Sequence, residues 1–337
     1  MTATVPAQGR AICLGSRPHG EPGAEHFEMR TIGLPPLGDG DVLVRNTLMS
    51  VEPYMRGRMN EGKSYVPPFE IGEPLSGAAI GTVIASNDPN VAVGAVVLHN
   101  DGWRDYAVVA GRNVRVIDGS LPPHTYLGAL GTPGFTAWVG LRTIGRVTAG
   151  ETLFVSAAAG AVGSMAVQLA KHWGLRVIGS AGSDAKADYV RETLGADAAF
   201  DYHAALREAL SAAAPDGIDV YFDNVGGEQL EAAIDAMRPH GRAILCGAIS
   251  QYNAQSPPAG PRNLSLAIGR RLRLEGFIIL DHGASFADFS AEVTPLVRAG
   301  TIVTPATFVD GLENAPTALI DILRSNAHVG KVVVRLD

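Results

Sequence analysis

Cysteine is scarce in this chain. Only Cys13 and Cys246 occur among 337 residues, and they lie far apart. Two such residues make no disulfide framework, which fits a reducing, cytoplasmic setting. Nor can they build a four-cysteine zinc site. The nine histidines show no H-x-x-x-H or other ligand spacing, so no metal is expected, and most of them read as surface or capping residues. Positive charge is also short, with 27 Lys and Arg against 34 Asp and Glu, a net charge of −7. A nucleic-acid-binding face needs the opposite balance to displace counterions. The one dense basic cluster, Arg270, Arg271 and Arg273, is too short for such a stripe and reads as a solvated helix end. Long apolar runs are missing. No stretch free of glycine and charge approaches the ~20 residues of a membrane span. The opening "MTATVPAQGR" has no apolar core of signal-peptide length. A soluble protein with neither a membrane nor a nucleic-acid partner is expected.

What is present points to two domains, because 337 residues are long for one core. Up to about Pro123 the text is β-like: "DVLVRNTLMSV", "GAAIGTVIAS", "GAVVLHN" and "DYAVVA" are short β-rich runs broken by Gly, Asp, Asn and Pro, and helical periodicity is poor. From about His124 strands and helices alternate. "TLFVSA" precedes "GAVGSMAVQLAKHWG", "RVIGSA" precedes "DAKADYVRETLG", "AAFDY" precedes "HAALREALSAAA", and "IDVYFDN" precedes "GGEQLEAAIDAMRPHG", with "RAILCGA" to follow. That alternation predicts an α/β fold with a doubly wound parallel sheet. After Gly227, Leu230, Ile234 and Met237 recur at i, i+4, i+7, one apolar helix face. Gly174 and Gly195 stand where helix C-caps are expected. After about Gly300, "ATFVD" reads as a strand, "GLENAPTALIDILRS" as a helix and "KVVVRL" as a final strand, while "QSPPAGPRN" is the one Pro/Gly-rich loop and a candidate lid.

The stretch "SAAAGAVGSMAVQLAK" carries the chemistry. A strand running into a glycine turn and then a helix sets backbone N–H groups and the positive end of a helix dipole at one spot. Gly160 and Gly163 have no Cβ, so a pyrophosphate can approach and the helix can pack close to the strand. A tight turn packed for its own sake would look the same in isolation, and the surrounding βαβ pattern favours the phosphate reading. In NAD-binding chains an Asp or Glu about 20 residues on takes the ribose hydroxyls. Here the next strand ends in Ser180, Ala181 and Gly182, so no carboxylate repels a 2′-phosphate. Lys186 follows closely and Tyr202 ends the next strand, a point charge and a hydrogen-bond donor. Lys186 by itself could be an ordinary surface lysine; with the acid absent, NADPH is the expected cofactor.

Taken together, "AAAGAVGSMAVQLAK", "GSAGSDAK", "YFDNVGGEQL", "CGAISQYN" and "MSVEPYMRGRMN" resemble the zinc-independent medium-chain dehydrogenase/reductase superfamily. Within it they are similar to the prostaglandin/leukotriene reductase branch, with its plant double-bond reductases and bacterial curcumin reductases. The match runs over nearly the whole chain in the family's order. It implies a GroES-like β-rich catalytic domain, residues 1–124 and 301–337, around a Rossmann NADP-binding domain, residues 125–300. It further implies NADPH-dependent reduction of the C=C bond of α,β-unsaturated ketones and aldehydes, in a homodimer whose Rossmann sheets meet edge to edge.

By the same resemblance Gly160, Ala161, Val162 and Gly163 hold the pyrophosphate. Lys186 and Tyr202 hold the 2′-phosphate, with Gly182 leaving room for it. Asn224 faces the cofactor. Cys246, Gly247, Ala248, Ile249, Ser250 and Tyr252 line the nicotinamide ribose, and the backbone of Phe277, Ile278 and Ile279 binds the carboxamide. The family usually has Asn where "AHVGK" places His328, a bulkier donor that titrates. The zinc-dependent relatives carry a Cys-rich lobe and a catalytic Cys with Gly-His-Glu, and this chain has neither, reading "IGEPLSG" where that His would stand. Without a Lewis acid, hydride addition to a conjugated C=C fits better than carbonyl chemistry, because its charge ends on an enolate oxygen that hydrogen bonds stabilise. Tyr54 and Tyr252 occupy the family's pocket-tyrosine positions and are the candidate catalytic donors, with solvent protonating the α-carbon. Each tyrosine also reads as a half-buried packing aromatic. Arg56 and Arg58 read as structural or surface residues. A quinone reductase shares the fold and cofactor, and a non-catalytic NADPH-binding protein of the crystallin type is the alternative from another class.

Overall fold

The computed structural model describes residues 6–324 and 328–336. Strands come first: β1 (Gln8–Leu14), β2 (Phe27–Gly33), β3 (Asp41–Ser50), β4 (Ala79–Ser86), β5 (Val96–His99), β6 (Tyr106–Ala110) and β7 (Arg115–Val116). One short helix, α1 (Tyr54–Arg58), interrupts them. Five residues are too few for a periodic pattern, so the β-like reading of this region passed over it. Its start is dictated locally: Pro53, with φ near −59°, is the N-cap, and the carbonyls of Glu52 and Pro53 accept from the amides of Met55 and Arg56.

The alternating region follows: α2 (Thr132–Val139), β8 (Thr152–Val155), α3 (Ala161–His172), β9 (Arg176–Ala181), α4 (Asp184–Glu192), β10 (Ala198–Asp201), α5 (Tyr202–Ala213), β11 (Ile218–Asp223), α6 (Gly227–Ala236), β12 (Met237–Leu245), α7 (Leu266–Arg270), β13 (Arg273–Gly276) and α8 (Phe286–Arg298). The chain closes with β14 (Ala306–Asp310), α9 (Ala315–Leu323) and β15 (Lys331–Arg335). Two compact units result. One runs to Leu127 and resumes with Ala306–Arg324 and again from Lys331; the other holds Gly128–Pro305 and the short stretch up to Gly330.

In the first unit a seven-stranded sheet has the order β14-β15-β3-β4-β5-β7, with β6 also paired to β3. All its pairings are antiparallel except β14 with β15. Its interior includes one histidine that the sequence reading left among the surface and capping ones. His99 is 2% exposed. Its Nε2 lies 2.8 Å from Asn46 Oδ1, and its Nδ1 accepts from the Asp101 amide at 3.1 Å. Asn46 Nδ2 donates to the carbonyls of Asp101 and Arg104, so Asn46 Oδ1 must accept and the ring is the neutral Nε2–H tautomer. Burial, and then Arg104, lower its pKa to about 4.

An ordinary histidine in the unfolded chain titrates near 6.5. Between that value and 4 the unfolded state binds the proton and the folded state does not. The contribution of His99 is therefore complete above pH ~6.5 and is lost as pH falls towards 4, a loss of about 3 kcal/mol. Denaturant midpoints measured from pH 7 to 4 should show this decline, and His99→Gln should flatten it. A slope unchanged in the variant would clear His99 of the effect.

In the second unit a six-stranded parallel sheet has the order β10-β9-β8-β11-β12-β13. This is the doubly wound Rossmann arrangement that the alternation predicts. The chain steps outward from β8 through β9 to β10, then crosses back to β11 and steps the other way, so the order reverses between β8 and β11. The central strands are continuous apolar runs because both faces are covered: "TLFV" of β8 is wholly buried, and Phe154 stacks on Tyr221 with ring centroids 5.1 Å apart. Gly174 and Gly195 take the left-handed conformation at the ends of their helices, with φ of 79° and 78°.

Three local readings change. Met237 opens β12 instead of closing the apolar face of α6, and Tyr202 opens α5 instead of ending a strand. Arg270 is no solvated helix end: its Nη1 donates to the carbonyls of Ile234, Asp235 and Met237, satisfying the C-terminus of α6. The Pro/Gly-rich loop is tied at its far end, where Asn263 Nδ2 reaches Glu231 O and Asp235 Oδ1. Glu292 of α8 accepts from Trp138, Trp173 and Arg142, clasping three segments together. No helix among the described residues is long and apolar enough to cross a membrane.

Candidate functional site

In the second unit the residues singled out by the sequence come together along the carboxyl edge of the parallel sheet. Taken in spatial order, Tyr202 follows β10, Gly182 follows β9, Gly160–Gly163 follow β8, Asn224 follows β11, Cys246–Tyr252 follow β12 and Phe277–Ile279 follow β13. They form an extended row with the glycine turn beside the point where strand order reverses. Ligands of open α/β sheets bind at that crevice.

The glycine turn shows why each residue is needed. Ala157 is held at φ 48°, a strained left-handed conformation for a residue with a side chain. A Cβ on Gly163 would lie 2.2 Å from the Ala157 carbonyl oxygen, so only glycine lets α3 pack this closely on the turn. Gly160 is the N-cap; no side chain caps the helix and no acidic residue lies in its first turn. The leading N–H groups at Ala161, Val162 and Gly163 are thus offered to an anion. Gly330 pairs with Gly160 as an isolated parallel bridge and donates from its amide to Ala159 O at 2.8 Å. This brings the segment with the half-buried His328 alongside the turn.

Two residues that the sequence reading missed knit the centre. Ser156 Oγ accepts from the Asn224 amide at 2.9 Å, and Asn224 Nδ2 donates to Ser156 O at 2.8 Å. Asn224 therefore ties the ends of β8 and β11 together. Asp223 is buried and accepts from Tyr221 Oη and from the amides of Val225 and Gly226. Burial raises its pKa, against those hydrogen bonds. Its own carbonyl takes the amides of Cys246 and Gly247, and Ser250 bonds Val225 O through both its amide and its hydroxyl. The loop 246–252 is thereby strapped to the turn 223–227. The available signal was an Asp just before "NVGG", the pattern of an Asx turn.

On that strap Tyr252 Oη accepts from the Ala248 amide at 3.3 Å, which leaves its proton to donate elsewhere. Burial raises its pKa, so the phenol stays protonated across neutral pH. Burial, and then Asp223, push the Cys246 thiol up to about 12, so it is no thiolate for metal or nucleophilic work.

At the other end of the row Lys186 is half-buried in the first turn of α4, and burial lowers its pKa. Gly182 faces two rings: a Cβ there would lie 3.5 Å from Tyr202 Cε1 and 3.6 Å from His203 Cε1. His203, its ring tilted against that of Tyr202 with centroids 4.1 Å apart and its Nδ1 within 2.8 Å of Asp201 Oδ1, is a further residue that the sequence did not flag. A phenol and an imidazole meet over Gly182, and the first turn of α4 just beyond it carries Lys186, a donor set that suits a phosphate monoester. The uncapped helix start suits a pyrophosphate. The row fits an NADP-type dinucleotide.

Tyr54 lies in the first unit, at the first position of α1 and half-buried. Burial, and then the charge of Glu52, raise its pKa above the usual phenol range. Arg56 is buried and donates to Gly20 O, and Arg58 lies 4.0 Å over the Phe69 ring; both are structural here. Among the described residues no group of three or more His, Cys, Asp or Glu side chains is gathered as a metal site.

Known proteins match nearly the whole chain. The family described as the N-terminal domain of oxidoreductase matches residues 10–117, and the one described as zinc-binding dehydrogenase matches residues 161–298. NADPH-dependent curcumin reductase of Escherichia coli is 40% identical over 336 residues, covering 98% of this chain and 97% of the relative. The NADP-dependent 2-alkenal reductase of Nicotiana tabacum is 40% identical over 334 residues, with 96% of each chain covered. Prostaglandin reductase 1 of Rattus norvegicus is 38% identical over 336 residues, 97% of this chain and 99% of the relative. The crystal structure of CurA from Vibrio vulnificus in complex with NADPH matches with a TM-score of 0.92 at 42% identity, covering 97% of this chain and 99% of that one. With a Rossmann sheet, an antiparallel β unit and relatives of this closeness across its length, the chain belongs to the zinc-independent medium-chain dehydrogenase/reductases, in the branch of the curcumin, 2-alkenal and prostaglandin reductases.

Proposed function

We propose that this protein is an NADPH-dependent reductase of the conjugated C=C bond of α,β-unsaturated ketones and aldehydes. The observation that carries the reading is the row of loops from Tyr202 through Gly160–Gly163 to Phe277 along one sheet edge, which suits an extended dinucleotide, with the phenol of Tyr252 on the strap after β12. When bound, NADPH supplies a hydride to the β-carbon of the alkene. The chain's own residues do the rest. The start of α3 binds the pyrophosphate through backbone N–H groups. Lys186 and Tyr202, with His203 beside Tyr202, would hold the 2′-phosphate, and Gly182 leaves room for it. Tyr252 keeps a proton on Oη and donates it as a hydrogen bond to the substrate oxygen as negative charge develops there. Tyr54 is assigned the same role from the first unit. Neither phenol has to give up its proton, so solvent protonates the α-carbon.

Deuterated NADPH with a simple enone should place deuterium on the β-carbon of a saturated ketone. Label on the carbonyl carbon of an alcohol would refute the reaction type. The reading includes a homodimer. β13 is an open edge of the parallel sheet, and Leu264, Ile268 and Leu280 are exposed near it, Ile268 at 82%. Sedimentation should return twice the chain mass of 35.2 kDa, and Ile268→Glu should shift it to the monomer. A wild-type chain that sediments as a monomer would end this part of the reading.

A further inference from the structure

Lys331 opens β15 and is only 3% exposed. Its Nζ donates to Val51 O and to Glu52 Oε1, both at 3.0 Å. The same carboxylate oxygen accepts from Ser50 Oγ at 2.6 Å. These groups stand at a joint. β3 ends at Ser50, Glu52 O takes the first amide bond of the following turn, Pro53 is the N-cap, and Tyr54 is the first residue of α1. β15 runs alongside, with Val333 opposite Ser50. A charge pair withdrawn from water adds little net stability, while breaking it is costly. Its worth lies in fixing geometry, and the geometry fixed here is the direction in which the chain leaves β3 for α1.

We propose that Lys331 is a positioning residue for the reaction: by holding Glu52 it sets the β3–α1 joint and so the placement of the Tyr54 hydroxyl. This rests on the assignment of Tyr54 as a donor to the substrate oxygen. The pair also bears on the state of that phenol. The groups that act on Tyr54 are Glu52 before the helix, Arg58 at its end and Tyr65 in the loop beyond. Burial and the Glu52 charge hold the proton on the phenol, and Arg58 works against them. Lys331 pins that carboxylate in place.

The test is a mutant cycle on the full-length protein, reading kcat, KM for the enone and the NADPH dissociation constant. Lys331→Met keeps the length of the side chain and removes its charge. It should lower kcat by roughly 3- to 30-fold, no more than Tyr54→Phe does, while NADPH affinity holds. Added to Tyr54→Phe, it should lower kcat no further. Losses that multiply, or a Lys331→Met protein with normal kcat, overturn the proposal. Because Lys331→Met leaves a buried carboxylate without its partner and can fail to fold, Glu52→Gln is the second arm. It keeps Oε1 as acceptor for both Lys331 and Ser50 and removes the charge. Because the joint is still held, its kcat should fall less than that of Lys331→Met, and in the Tyr54→Phe background it should fall no further. A loss larger than that of Lys331→Met, or one that persists in the Tyr54→Phe background, also counts against the proposal. Tyr54→Phe with wild-type kcat would remove Tyr54 from the mechanism and the positioning role with it, whereas a Tyr54 effect without a Lys331 effect sinks the positioning role alone.

Discussion

Tyr252→Phe is expected to lower turnover of an enone by roughly 10- to 1000-fold while NADPH binding stays similar. The change keeps the ring and removes one donor. That donor matters most when charge has reached the substrate oxygen, so the loss falls on kcat more than on KM. The structure sharpens the expectation. Tyr252 Oη accepts from the Ala248 amide, so its proton is the part it has to offer. Burial keeps the proton in place at neutral pH. The variant also leaves the Ala248 N–H without its acceptor, which costs about 1 kcal/mol of local stability. NADPH affinity is the control, because a disturbed 246–252 strap would weaken cofactor binding as well. The range is wide because the proposed mechanism gives Tyr54 and a cofactor hydroxyl part of the task; Tyr54→Phe alone should be milder, and the double variant worse than either. Unchanged turnover in the double variant would leave the reaction type standing and remove both tyrosines from it.

Lys186→Ala is expected to weaken NADPH binding by about 10- to 150-fold and to leave NADH binding nearly unchanged. A hydrogen bond to a charged group contributes roughly 1.5–3 kcal/mol, which converts to that range. Burial already lowers the pKa of the Lys186 ammonium, so a phosphate partner relieves a cost that a neutral ribose cannot. Tyr202 and His203, over Gly182, should carry smaller shares of the same discrimination. Equal losses for the two cofactors, measured by fluorescence titration, would show that Lys186 supports α4 and does not read the phosphate.

What the sequence by itself determined is what local chemistry encodes. Alternating apolar strands and amphipathic helices announce a parallel sheet wherever they occur, since each element must bury its own stripe. The turn at Gly160–Gly163, and the lack of an acid at Ser180, Ala181 and Gly182 where β9 ends, name the kind of cofactor because a few adjacent residues decide both. Elements too short for a period escaped it: α1, with five residues, has none to show. Met237 was misplaced because three apolar residues at helical spacing cannot reveal that the chain has already left the helix.

The tertiary structure decided everything that depends on distant segments meeting. His99 looks like any other histidine until Asn46, 53 positions away, closes over it. Asp223 and Ser156, 67 positions apart, become one support under the cofactor row only when β8 and β11 lie side by side. Lys331 and Glu52 are separated by 279 positions, and only the pairing of β15 with β3 makes them an ion pair. Periodicity and spacing are properties of neighbours along the chain. Burial, pKa and the aim of a side chain are set by neighbours in space, and those exist only once the sheets have formed.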